Sequence, residues 1–151
     1  MWCDYNGFSR LVCKMGVGYS ECGDMINWDE YYNFSEYEFT CSHTGECFMN
    51  KNFMDKLQTL RTSLGIALFI SSGYRHPTHP IEAKKSKSGE HTLGKAVDIA
   101  CRGETAYNIM KAAPLFGFTR IGFKQKGHGR FIHIGTATEE DGFISPTIWS
   151  Y

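Results

Sequence analysis

The chain carries the run Gly89-Glu90-His91-Thr92-Leu93-Gly94-Lys95-Ala96-Val97-Asp98, answered thirty-five residues after Asp98 by Phe131-Ile132-His133-Ile134. A fold for this chain has to bring two imidazoles and a carboxylate from separate segments to one point, because their types and spacings suit a single divalent metal. Zinc is the expected occupant. It accepts mixed nitrogen and oxygen ligands, and three protein ligands leave a fourth position open for water. An open position points to catalysis rather than scaffolding.

The segments around these residues read as a mixture of helices and strands. Asn50 is placed to cap a helix in which Phe53, Met54, Leu57, Leu60 and Leu64 recur at three- and four-residue steps until Gly65 ends it. Asn33 or Ser35 is placed to cap a short turn before Phe39. Ile66 to Ile70, bounded by Gly65 and Ser71-Ser72-Gly73, fits a strand buried on both faces. Residues 76–90 form a long polar loop, and structureless loops of that length are usually functional or disordered. Ala96 to Cys101 reads as a strand, Glu104 to Phe116 as a helix interrupted near Pro114, and Thr119–Phe123 and Arg130–Ile134 as further strands. The class is α+β, a small mostly antiparallel sheet flanked by helices.

At 151 residues the chain has the length of about one domain and can bury a core without cross-links. Sixteen basic and sixteen acidic residues balance, so there is no broad basic field and nucleic acid is not an expected partner. No apolar run reaches the roughly 18 residues of a membrane span, and the start lacks a signal-peptide layout; membrane insertion is not expected. Residues 1–32, punctuated by Gly7, Gly16, Gly18 and Gly23, read as an irregular N-terminal extension.

His91 and Asp98 flank Gly94, so the chain can turn from loop into strand while both side chains face one ion. His133 sits between Ile132 and Ile134, where strand alternation puts it on the opposite face from theirs. Taken together with Ser72-Gly73-Tyr74-Arg75 and Ile121-Gly122, these motifs resemble the M15 peptidases, zinc enzymes that cut peptidoglycan stem peptides. The similarity runs over residues 33–151, including Phe39-Thr40-Cys41 and an aromatic finish at Trp149 and Tyr151. It implies a fold of the Hedgehog/DD-peptidase type and D-alanyl-D-alanine carboxypeptidase or L-alanyl-D-glutamate endopeptidase activity. It further implies zinc held by His91, Asp98 and His133, and Arg75 binding a substrate carboxylate or carbonyl.

The family also needs a proton-transfer group just upstream of the last ligand. Arg130, three before His133, cannot serve as a base. His128, five before, can, and it is the expected catalytic residue. A monomer acting on stem peptides at the bacterial cell wall is implied, with a phage lysin or virion component as its setting. A non-catalytic wall- or partner-binding module that keeps the metal is the alternative.

Two positions depart from the family pattern. Gly89 stands where serine is usual, so a hydrogen bond is lost or shifted. Gly135 stands where aspartate is usual, and losing a carboxylate that orients a ligating imidazole typically costs 10–100-fold in metal affinity or activity. Cys41, His43 and Cys47 leave three options open: a structural zinc with a fourth ligand from Cys3, Cys13 or Cys22, a Cys41–Cys47 disulfide, or free thiols. His76 and His79 either line the cleft or decorate it.

Overall fold

The computed structural model describes residues 26–151 throughout, together with the backbone of three short strands nearer the N-terminus. These are β1 (Cys3–Tyr5), β2 (Leu11–Lys14) and β3 (Tyr19–Glu21), paired antiparallel in the order β1-β2-β3. They lie in the stretch that the sequence reads as irregular, where strands of three or four residues are too short to establish a period. The side chains of Cys3, Cys13 and Cys22 lie outside the described residues. Ile26, Trp28 and Tyr31 pack on the main hydrophobic core.

The main body begins with α1 (Glu36–Phe39), opened by a reciprocal capping box between Ser35 and Glu38. The longest helix is α2 (Lys51–Leu64). The Asn50 side chain accepts from the Phe53 amide at 3.0 Å to start it, and Gly65, at φ 65, ends it in the left-handed conformation. Phe53, Met54, Leu57 and Leu60 are fully buried, as their spacing predicts.

Five strands follow. They are β4 (Phe69–Ser72), β5 (Ala96–Ala100), β6 (Arg120–Lys124), β7 (Phe131–Gly135) and β8 (Thr147–Ser150), in the order β4-β5-β7-β6-β8. All pairings are antiparallel except that of β6 with β8. Val97, Ile99, Ile121, Ile132 and Ile134 are buried in the core together with residues of α2 and of α4 (Gly103–Ala112). Phe53 and Phe118 meet edge to face at 5.6 Å between ring centroids. After α4 the chain tightens into a 3₁₀ turn over Ala113–Phe116, because Pro114 has no N–H to continue an α-helix.

The strand after α2 differs from expectation. It is β4, shifted toward Phe69–Ser72, and it is a sheet edge with only β5 beside it among the described residues; Phe69 is 70% exposed. A short apolar run does not distinguish a central strand from an edge one. Residues 76–90 are also more ordered than expected. His79 accepts from the Ile81 amide at 3.2 Å, and Pro80 opens a short helix, α3 (Pro80–Ala83).

One turn fixes the helical layer relative to the sheet. A 3₁₀ turn over Glu90–Leu93 ends at Gly94, φ 63, whose carbonyl accepts from the Asn50 amide at 3.0 Å. A Cβ at residue 94 would lie 2.7 Å from Met49 Cα and 2.9 Å from Asn50 N, whereas one at residue 65 would meet nothing within 4 Å. Gly65→Ala should therefore cost about 1–2 kcal/mol, the ordinary penalty for a left-handed L-residue. Gly94→Ala should cost clearly more in urea denaturation. Equal costs would show that this turn is free to move away from the start of α2.

Candidate metal centre

Strand register builds the site. Ser72 of β4 stands opposite Asp98 of β5, Asp98 opposite His133 of β7, His133 opposite Gly122 of β6, and Gly122 opposite Trp149 of β8. One row across five strands therefore carries two of the three expected ligands side by side. Gly122 keeps this row open. A Cβ there would come within 2.7 Å of the Trp149 indole, which instead lies across the glycine and reaches His133, with ring centroids 5.1 Å apart. The alternation that buries Ile132 and Ile134 in the core turns His133 to the other side.

His91 enters from the 3₁₀ turn ahead of β5. Its Nδ1 lies 2.7 Å from the Gly73 carbonyl, and a carbonyl only accepts, so Nδ1 donates and Nε2 carries the lone pair. That Nε2 is 3.4 Å from Asp98 Oδ1, and His133 Nδ1 is 2.9 Å from the same oxygen. Among the described residues, His91, Asp98 and His133 are the group able to hold a metal ion, with their donor atoms all within 4.8 Å of one another. Two imidazoles and one carboxylate, buried and converging, fit a divalent transition metal.

The electrostatics favour ligation at His91 and Asp98. Burial pushes the His91 pKa down, which keeps its imidazole neutral. Burial works to raise the Asp98 carboxyl, but the His133 and His91 imidazoles against it outweigh burial and hold the group well below the usual carboxylate range. Burial likewise opposes charging of His133, yet the Asp98 and Glu90 carboxylates prevail and raise its pKa, so a metal at Nδ1 would have to displace the proton there.

A model of the Peptidase M15 family matches residues 30–135. The chain belongs to that family. No curated protein sequence matches it. As an M15 protein it is a metallopeptidase, a metal-dependent hydrolase whose buried His91-Asp98-His133 group is the candidate metal centre.

Arg75 borders this M15 centre and is more engaged than a substrate-holding arginine needs to be. Its Nε donates to Ser72 Oγ at 2.9 Å, Nη1 to Glu82 Oε1 at 3.3 Å and Nη2 to Asp98 Oδ2 at 2.8 Å. Asp98 thus turns one oxygen to the imidazoles and the other to the guanidinium. Glu82, only 2% exposed, also accepts from Lys85 Nζ and from the Gly89 amide, each at 2.8 Å. Position 89 contributes its backbone in place of a side-chain hydroxyl.

Other residues fall elsewhere. His128 is exposed in the loop joining β6 and β7, in a concavity lined by Cys101, Arg102, Gly127, Gly129 and Arg130, with none of the three ligands among the lining. His79 caps α3, and His76 Nδ1 lies 2.8 Å from Thr78 Oγ1. Cys41 and Cys47 are free thiols, so the expected alternative of a disulfide between them does not form. Cys41 Sγ accepts from the His76 amide at 3.3 Å, and among the described residues Cys41, His43 and Cys47 form no metal-binding group.

Glu82, Glu90 and Arg120 are the residues that sequence reading passes over. Glu82 lies in a polar loop and offers no signal beyond Pro80 at the start of its helix. Glu90 adjoins a ligand, which is signal enough to weigh it. Replacing His91, Asp98 or His133 singly with alanine should abolish stoichiometric metal binding, read by metal analysis after dialysis.

Glu82→Ala should destabilise the protein by about 3–5 kcal/mol, because it strips a buried partner from Arg75 and Lys85. Burial opposes ionisation of Glu82, but hydrogen bonds from Lys85, Gly89 and Arg75 hold its pKa below the ordinary 4.5. Its contribution is therefore full above pH 4.5 and is lost as pH falls through the lower folded value. Thermal melts across that range should show the parent losing stability on acidification and Glu82→Gln losing less.

Proposed function

We propose that this metallopeptidase is a zinc enzyme that hydrolyses peptidoglycan stem peptides, either releasing terminal D-alanine or cleaving within the stem. The observation that carries the reading is the convergence of His91 Nε2, His133 Nδ1 and Asp98 Oδ1 beside the Arg75 guanidinium. Two nitrogens and one carboxylate form the donor set that zinc takes in sites open to reactants. When bound, zinc supplies Lewis acidity toward water and the scissile carbonyl.

The protein's own groups do the rest. A guanidinium has five N–H donors, of which Ser72, Glu82 and Asp98 take one each. The remainder are available to a substrate oxygen, and pairing with a terminal carboxylate would register the peptide against the ligands. The role proposed for His128, to accept a proton at a ring nitrogen from the attacking water and return it to the leaving amine, requires its loop to carry it from its separate concavity to the ligands. Its loop carries Gly127 and Gly129 in the left-handed region, at φ 66 and 60, on either side of it. A histidine in this role favours the carboxypeptidase activity over the endopeptidase one.

The proposed setting is the bacterial cell wall, with a monomer of phage or bacterial origin delivered through a pore or carried in a virion. Balanced charge supports a partner other than nucleic acid. Among the described residues no helix is long and apolar enough to cross a membrane. The exposed position of His128, apart from the ligands, favours one second reading, a wall- or partner-binding module in which the metal serves stability.

Incubation with a D-Ala-D-Ala-terminated pentapeptide and with intact sacculi separates the readings. Cleavage of either should be abolished by chelator, and His128→Ala should lower it roughly 10²–10⁴-fold with metal content unchanged. Sacculus binding by a zinc-loaded protein that cleaves neither substrate would establish the second reading instead.

A further inference from the structure

We propose that Glu90 is the positioning carboxylate for His133, and that it holds this place because residue 135 is glycine. The inference rests on His133 being a metal ligand. Glu90 Oε1 lies 2.7 Å from His133 Nε2, with both side chains only 4% exposed. A hydrogen bond from Nε2–H to this carboxylate keeps one proton on Nε2, so that once the Nδ1 proton is displaced the lone pair there, beside Asp98 Oδ1, faces the ligand cluster. The ring is thus held in the tautomer and orientation that ligation requires.

Arg120 fixes the carboxylate in turn. Its Nε donates to the same Glu90 oxygen at 3.0 Å. Nη1 donates to the Ile144 carbonyl, and the guanidinium sits 5.0 Å and 5.2 Å from the ring centroids of Phe143 and Trp149. Arg120 also stands opposite Gly135 in the β6–β7 pairing. A chain therefore runs from β6 through Glu90 to the β7 imidazole.

Gly135 makes room for it. This glycine lies two residues beyond His133 on the same face of β7, and its φ is not in the left-handed region, so its backbone makes no demand for glycine. Glycine inside a strand costs stability and packs nothing. What it does leave is space, because a Cβ at residue 135 would stand 2.6 Å from Glu90 Cδ and 2.9 Å from Oε1. Any side chain there would expel the carboxylate. Glu90 Oε2, buried with no hydrogen-bond partner among the described residues, is turned to this glycine. The orienting carboxylate that the sequence lacks at position 135 thus arrives from position 90, and the two positions are coupled.

The coupling is testable with the full chain and zinc alone. Glu90→Ala should weaken zinc binding in chelator competition by about 10–100-fold, and Glu90→Gln should weaken it less. Gly135→Asp should weaken binding and lower Tm by displacing Glu90. The double variant Glu90→Ala/Gly135→Asp should bind zinc about tenfold or more tighter than the product of the two single effects predicts.

In ¹⁵N spectra of the zinc-loaded parent the His133 ring should carry its proton on Nε2, with that signal shifted in Glu90→Ala. Zinc affinity within about twofold of the parent in both Glu90 variants would overturn the proposal. So would strictly additive effects in the double variant. A parent that binds no zinc would instead overturn the metal-centre reading on which the proposal rests.

Discussion

The antiparallel register between β5 and β7 is the constraint on which the rest of the site depends. It sets Asp98 directly opposite His133, and a slip of one residue would turn His133 into the core and Ile132 or Ile134 out of it. The four isoleucine and valine side chains at 97, 99, 132 and 134, all fully buried, oppose that slip. The hydrophobic core thereby holds the ligand pair in alignment, and burial energy does the positioning that a metal would otherwise have to impose on a loose chain.

Around the pair, charge is arranged so that each buried group has an opposite partner. Arg75 joins Asp98 to Glu82, and Arg120 joins Glu90 to the far side of the same sheet face. Such networks are costly when broken, because the partner left behind stays buried and unpaired. Glycines at 94, 122 and 135 serve the same end by different means. At 94 backbone sits against backbone, at 122 an indole lies over the strand, and at 135 a carboxylate occupies the place of a side chain.

Helix α2, the strands at 96–100 and 131–135 and the outward face of His133 were legible because each rests on local pattern. Period 3.6 in Phe53 to Leu64, period 2 around His133 and the cap at Asn50 need no knowledge of neighbours. The edge position of β4, where Phe69 is exposed and no strand lies beyond it among the described residues, was not legible from a short apolar run. Strand β8 escaped notice for a related reason. Trp149 looks like an aromatic in a tail until Gly122 is seen opposite it.

The chain on its own determined the α+β class and the face on which His133 points, which follow from residue type and short-range period, and its motifs carry the resemblance to the M15 family and the candidate metal-binding trio. Only the tertiary structure decided how these parts are joined. Arg75 is committed to Glu82 and Asp98, His128 lies apart from the ligands, and the carboxylate on His133 comes from position 90 rather than 135. The physical reason is distance along the chain. Glu90 and Gly135 lie 45 residues apart, and nothing in either segment alone records that one fills the volume the other leaves empty.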